Sequence, residues 1–367
     1  EMRRTVEEFH AIGAAGVVLD IKTGELLAMS SLPDFDPHFP SRAGDAQRFD
    51  RVALGTYEMG STFKSFTFAL ALESGIANLH NGYDASNPLH YANFTITDSH
   101  PKRRWLSLPE IYAYSSNVGT ARMFLDIGTH RQKEFLNKLG MLKPIDFEMP
   151  EHAQPLYPKD WKEINGITIA YGHGISVTPL HLVRGIATLV GDGTLEPLTV
   201  LKDGNKDKAR GERVISAQTA LQMRRLMRMV VRHGTAGKAD IAGYRVGGKT
   251  GTAEKVQGGG YNKDNKMASF IGVFPIDAPR YIVLVMIDEP KGNKITFGFA
   301  TGGWIAAPAV GRVIERMAPL MDVKPGFDVA GDDAEQYWVD TEKRPSSPPL
   351  PGLRTAAYVR PVAFVTR

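Results

Sequence analysis

The sequence predicts an α+β protein: an antiparallel sheet flanked by helices, with a helical subdomain between its first strands and its last. Three observations predict it. Strand-like apolar segments cluster near 14–30 and 244–288. Helix-period segments fill the span between them. Gly- and Pro-bearing turns separate neighbouring strands closely enough for hairpins.

The elements follow in order. Thr5 to Ala11 reads as a helix. Ala15–Asp20 and Glu25–Met29 flank the turn Lys22-Thr23-Gly24 and form a hairpin. Pro33, Pro37, Pro40, Gly44, Gly55 and Gly60 make residues 31–60 a loop-rich connection. Phe63, Phe66, Ala69, Leu70 and Glu73 fall at helix spacing, so a helix runs from Ser61 to Ser74 and stops at Gly75. Residues 106–124, 131–140, 176–190 and 218–231 are further helices. Three strands, 244–256, 268–274 and 280–288, form an antiparallel meander, and an apolar helix closes it at 304–318. Beyond Pro325 the composition loosens into a Pro-rich tail, Arg344 to Pro351, expected to be extended or disordered.

Composition excludes several functions. With 367 residues, 43% of them hydrophobic, the chain can form one large domain or two smaller ones. A net charge of +4 is too small for a nucleic-acid partner, and Lys102-Arg103-Arg104 reads as a solvated turn. The absence of cysteine removes thiol nucleophiles, disulfides and Cys-ligated zinc. The histidines are scattered without a His-Glu-x-x-His, so no metal or other cofactor is expected. His173, within Tyr171-Gly172-His173-Gly174, reads as structural or as a rim residue. No apolar run reaches the ~18 residues of a membrane span. The chain opens at Glu1 inside a helix, so residues 1–12 are expected to be the remnant of a longer chain with its anchor upstream.

Three short motifs carry the chemistry. In Ser61-Thr62-Phe63-Lys64 the serine precedes a helix and the lysine follows one turn later on the same face. Ser61 offers a hydroxyl, and its backbone N–H lies among the unsatisfied donors of the first turn, where it helps hold an oxyanion. A serine hydroxyl needs a base, and Lys64 serves only where burial or a nearby cation keeps it neutral. Ser115-Ser116-Asn117 lies in a segment too polar for a core helix face. Ser115 is placed to relay a proton, and Asn117 to hold a substrate carbonyl or the Lys64 ammonium. In Lys249-Thr250-Gly251-Thr252, strand alternation sends Lys249 and Gly251 one way and Thr250 and Thr252 the other. Gly251 lets a ligand approach the backbone. A cationic Lys249 attracts a substrate carboxylate and helps keep Lys64 neutral, and the Thr252 N–H is the second oxyanion donor. Taken singly, each motif is matched by a blander reading: a capping serine with a solvated lysine, a pair of capping serines, a Gly-kinked strand. Together they supply nucleophile, base, relay and anion clamp, which serine acyl transfer needs.

A competing pattern overlaps the third motif. Gly243 to Thr250 fits G-x-x-x-x-G-K-[ST], and Ile282 to Glu289 resembles a hydrophobic strand ending in magnesium-binding acids. A phosphate loop must open a helix whose N-terminus binds the phosphates. Here Gly251 follows at once and Gly258-Gly259-Gly260 soon after, so a P-loop NTPase is a remote alternative.

The three motifs in this order resemble the penicillin-recognising serine acyltransferases, a motif set long associated with penicillin-binding proteins and beta-lactamases. The resemblance runs from about residue 11 to 320. Gly16–Asp20, Gly24–Met29, Ser115–Gly119 and Gly174–Leu180 resemble class B penicillin-binding proteins. Lys249–Val256 followed by Phe270–Pro275 resembles the cell-division transpeptidase most, with the elongation member close behind. Met59 stands where the family usually has proline, with little effect expected on chemistry. Ser-Thr-Phe-Lys is also typical of class D beta-lactamases, but those carry Ser-x-Val and Tyr-Gly-Asn. The Glu-x-x-Leu-Asn of class A enzymes is missing between the second and third motifs.

The resemblance implies a penicillin-binding fold with a transpeptidase domain over 13–320: sheet at 13–30 and 244–320, largely helical at 61–240, with a tail at 321–367. It implies D,D-transpeptidation of peptidoglycan stem peptides through a Ser61 acyl-enzyme, inhibition by beta-lactams, and Lys249, Thr250 and Thr252 on the substrate carboxylate. It further implies the periplasmic face of a bacterial inner membrane, with a glycan polymerase and other division proteins as partners. A serine beta-lactamase or a beta-lactam sensor of the same fold is the alternative.

Overall fold

The computed structural model describes residues 1–202, 211–257, 260–326 and 334–338, without the side chains of 256–264. The Pro-rich stretch at 344–351 lies outside the described residues.

A five-stranded antiparallel sheet organises the chain. Its strands are β1 (Gly13–Asp20), β2 (Leu26–Leu32), β3 (Gly247–Gln257), β4 (Gly260–Phe274) and β5 (Tyr281–Asp288), in the order β3-β4-β5-β1-β2. The N-terminal hairpin therefore adds to the C-terminal meander through β1 and β5, paired from Gly13 with Asp288 to Asp20 with Tyr281. Every residue of β5 is buried, which explains why it reads as a continuous apolar run rather than an alternating one.

Register shows which helices cover which face. Cross-strand partners share a face and alternate residues switch it. Gly16 pairs with Val285, and Gly272 with Val283, so both glycines look to one side. A Cβ on Gly16 would strike Met2 of α1 (Met2–Glu8), and one on Gly272 would meet Val310 of α9 (Ala306–Leu320). Gly247 pairs with Val273 and so looks to the other side, where a Cβ would meet the backbone of Arg228. Arg228 belongs to α8 (Ala217–Arg232), so α8 and the helical part lie on the face that also carries Lys249 and Gly251.

The helical part includes α2 (Lys64–Glu73), α3 (Leu108–Ala113), α4 (Asn117–Ile127), α5 (Thr129–Lys138), α6 (Glu163–Ala170) and α7 (Pro179–Val190). Residues 64–72 of α2 are all buried, as befits a helix that is mostly apolar all round and stands at the centre of the core. Two expectations need correcting. The helix expected over 106–124 is broken in two: α3 ends at Ala113, α4 begins at Asn117, and Ser115 between them has φ +62°. The composition beyond Pro325 suggested a loose tail, yet Ala334–Trp338 packs against the body. The Trp338 ring stacks on His233 at 4.3 Å, and Glu335 pairs with His233 and Arg232.

Candidate active site

The nucleophile motif opens as a tight turn. Gly60–Phe63 is a 3-10 helix, and α2 starts at Lys64. Side chains three apart eclipse on a 3-10 turn, which brings Lys64 Nζ to 2.8 Å from Ser61 Oγ. Ser61 therefore sits in a turn before the helix rather than in its first α-helical turn. Thr62 Oγ1 closes the turn by donating to the Met59 carbonyl at 2.8 Å.

The second motif owes its shape to its neighbours. Ser107 and Glu110 form a capping box that starts α3. Ser116 caps α4, its Oγ accepting from Gly119 N–H at 3.0 Å. The same hydroxyl donates to Asp98 at 2.7 Å, and Asp98 also accepts from the N–H groups of Asn117 (2.5 Å) and Val118 (3.0 Å). A carboxylate there complements the positive end of α4. With both flanks fixed, Ser115 is held in the left-handed region, a conformation that costs a non-glycine residue about 1 kcal/mol or more.

The third motif lies inside β3, and the alternation predicted for it is what the structure has. Lys249 Nζ reaches Ser115 Oγ at 2.9 Å, and a Cβ on Gly251 would meet Ser269, Met59 and Thr62. Facing the other way, Thr250 Oγ1 shares a 2.6 Å hydrogen bond with Thr235 Oγ1, and Thr252 Oγ1 accepts from Gly302 N–H at 3.1 Å. No helix follows Lys249-Thr250, and β5 runs antiparallel to β4, so the nucleotide-loop geometry is absent. The acids at the end of β5, Asp288 and Glu289, pair with Lys255.

Ser61, Lys64, Ser115 and Lys249 thus form one unbroken polar chain, with Lys64 Nζ 3.1 Å from Ser115 Oγ. Both lysines are fully buried. Burial lowers Lys64 to about 7, against the upward pull of Asp98. Lys249 is pushed well below the ordinary lysine range, by burial first and the Lys64 charge second. The sequence reading named burial or a nearby cation as what keeps Lys64 neutral; burial leads for both lysines. Lys249, wholly enclosed, is also a partner of Ser115 rather than an open anion clamp.

The partners of Lys64 suit a neutral amine, which has two N–H groups and one lone pair. Asn117 Oδ1 (2.7 Å) and the Ser115 carbonyl (2.9 Å) only accept. Asn117 Nδ2 donates to the Thr97 carbonyl at 3.1 Å, which fixes the amide so that its oxygen faces Lys64. The two N–H groups are then used, and the lone pair is left for the Ser61 hydroxyl.

Sequence reasoning missed Asp98, Thr235 and Gly302. None belongs to a local motif, and each joins the site through contacts made only after folding. It also missed an aromatic cluster on the segment leading to Gly302, where the exposed Phe297 and Phe299 pack on Trp304. His173 is lowered to about 4, by burial first and Lys64 second, and is neutral at pH 7.

Comparison with known proteins agrees with this fold. Residues 14–315 match the family described as penicillin binding protein transpeptidase domain. A probable peptidoglycan D,D-transpeptidase FtsI from Caulobacter vibrioides is 43% identical over 333 residues, covering 88% of this chain and 56% of that protein. The transpeptidase domain of penicillin-binding protein 3 from Burkholderia pseudomallei superposes with a TM-score of 0.78 at 31% identity, covering 89% of this chain and 93% of that one. Penicillin-binding protein 3 from Mycobacterium tuberculosis, complexed with ampicillin, gives a TM-score of 0.82 at 27% identity, covering 90% of this chain and 77% of that one. The chain spans about half the length of the curated relatives it matches. A five-stranded antiparallel sheet, a helical part on the lysine-bearing face and a family match over 14–315 place this chain in the penicillin-binding protein transpeptidase family, among its class B members.

Proposed function

We propose that this chain is the catalytic unit, over about residues 13–320, of a peptidoglycan D,D-transpeptidase acting in septal wall synthesis. The observation that carries the reading is the polar chain Ser61–Lys64–Ser115–Lys249, with both lysines buried and both serines partly exposed. Neutral Lys64 takes the Ser61 proton while Ser61 Oγ attacks the penultimate D-alanine carbonyl of a stem peptide. The backbone N–H groups of Ser61 and Thr252 hold the oxyanion. The C–N bond breaks, and Ser115, backed by Lys249, delivers a proton to the departing D-alanine. Asn117 orients Lys64. Thr250 and Thr252 recognise the terminal carboxylate, and Gly251 lets the nucleophile turn pack close against β3. An amine from a neighbouring stem then attacks the acyl-enzyme and completes the cross-link.

Beta-lactams acylate the same serine because they mimic the D-Ala-D-Ala end. The ampicillin complex of the mycobacterial relative supports this. The FtsI name of the Caulobacter relative supports a septal role; the periplasmic face of the inner membrane, and a glycan polymerase and other division proteins as partners, rest on the family resemblance. Among the described residues no helix is long and apolar enough to cross a membrane.

The test is transfer. Incubation with a D-Ala-D-Ala donor and a D-amino acid acceptor gives the exchanged peptide as the main product. Hydrolysis alone, or rapid turnover of penicillin without a lasting adduct, points to a beta-lactamase. A penicillin adduct with no transfer points to a sensor.

A further inference from the structure

Taking Ser61 as the nucleophile, we propose that Gly172 is a positioning residue that aims the Ser61 backbone N–H at the oxyanion. The peptide joining Gly60 to Ser61 is one rigid plane, with the Gly60 carbonyl on one edge and the Ser61 N–H on the opposite edge. Whatever fixes the carbonyl fixes the N–H.

Gly172 lies directly against that carbonyl. A Cβ built on Gly172 would fall 1.9 Å from the Gly60 oxygen and 2.5 Å from its carbonyl carbon. The Gly60 N–H donates to the Gly172 carbonyl at 3.1 Å, so the two backbones meet with no side chain between them. On its far side, a Cβ on Gly60 would lie 3.1 Å from the Thr252 carbonyl. The Gly60 peptide is therefore held between the 171–174 loop and β3, the strand that supplies the second oxyanion donor.

The loop is stiff enough to act as a stop. Gly174 N–H donates to Glu58 Oε1 at 2.7 Å, and Tyr57-Glu58 pairs antiparallel with Ser176-Val177. Thr67 of α2 holds the start of the loop by donating to the Ala170 carbonyl at 2.8 Å. A side chain at 172 would have to push the Gly60 carbonyl aside. Turning that plane turns the Ser61 N–H with it, while leaving the Ser61–Lys64 side-chain pair in place.

Gly174 provides a control inside the same loop. Its φ is +78° against +91° at Gly172, so alanine meets left-handed strain at both. A Cβ at 174 would first meet Thr168 Oγ1 at 3.2 Å, and no atom of the nucleophile turn lies within 4 Å of it. Gly172→Ala and Gly174→Ala are compared for acylation by a chromogenic cephalosporin, resolved into non-covalent binding and bond formation. Each is also compared for its pH profile, its melting temperature and its affinity for a boronic acid that forms a tetrahedral adduct on serine.

Gly172→Ala is expected to slow bond formation roughly 10²–10³-fold, the effect of losing one oxyanion donor. Its non-covalent binding and the pH midpoint stay unchanged, and boronate affinity falls in step with the rate. Gly174→Ala is expected to acylate at close to the wild-type rate. Equal rates in the two variants overturn the proposal, as does a Gly172→Ala chain that fails to fold while Gly174→Ala folds. A wild-type chain that forms no penicillin adduct removes the reading of Ser61 and this role with it. A wild-type adduct beside an unimpaired Gly172→Ala removes this role alone.

Discussion

In the proposed mechanism Lys64 is the residue on which the chemistry turns, and its protonation sets the pH dependence. The base must be neutral to accept the Ser61 proton, and burial places its titration near 7. Acylation by penicillin should therefore rise with pH through about 7 and level off above it. A rate independent of pH between 5 and 9, on the order of two units either side of that midpoint, contradicts a lysine base. Stability carries the same sign. Between about 7 and the ordinary lysine range the unfolded chain holds a proton that the folded chain lacks, so stability rises with pH across that window. The pairing of Ser61 with Lys64 was legible in the sequence because it depends on a spacing of three along one turn. The depth of burial that makes Lys64 a base was not. It depends on tertiary packing, and the hydrogen-bond partners Asn117 and Ser115 lie more than fifty residues away along the chain.

The break between α3 and α4 is where local propensity and tertiary structure disagree. Residues 106–124 were expected to form one helix, yet the chain leaves the helix at Ser115, whose hydroxyl meets both lysines. Asp98 holds this break by accepting from Ser116, Asn117 and Val118. Asp98→Asn removes an acceptor from those donors and should cost about 1–3 kcal/mol in urea unfolding. It also removes the negative charge that favours the Lys64 ammonium, so the acid limb of the rate profile should move to lower pH. A limb that stays in place or moves up contradicts the link between Asp98 and Lys64. The β3 element was easier to read. The alternation of Lys249, Thr250, Gly251 and Thr252 is a period-two property that survives folding, although the enclosure of Lys249 depends on what covers that face.

Across the whole molecule, the sheet joins both ends of the chain and the site forms where the helical part meets β3. Strand-like segments at 14–30 and 244–288, joined by short turns, were enough to foresee an antiparallel sheet. Which helices cover which face followed only from register, through the glycines at 16, 247 and 272. Arg228 is a tie between the two parts: from α8 it donates to Asp240 at 2.9 Å and to the Val246 carbonyl at 2.8 Å, just before β3. Arg228→Ala should lower stability by about 2 kcal/mol in urea unfolding, since charged hydrogen bonds to a buried carbonyl are lost. An unchanged midpoint would show that the tie carries no load. In the proposed mechanism one serine in this frame, Ser61, is an acyl-transfer nucleophile. Intact-protein mass spectrometry after incubation with a penicillin tests it most directly. The expected result is a lasting gain of one antibiotic mass, mapped to Ser61 and absent in Ser61→Ala. An unmodified wild-type chain, or an adduct that persists in Ser61→Ala, would contradict it.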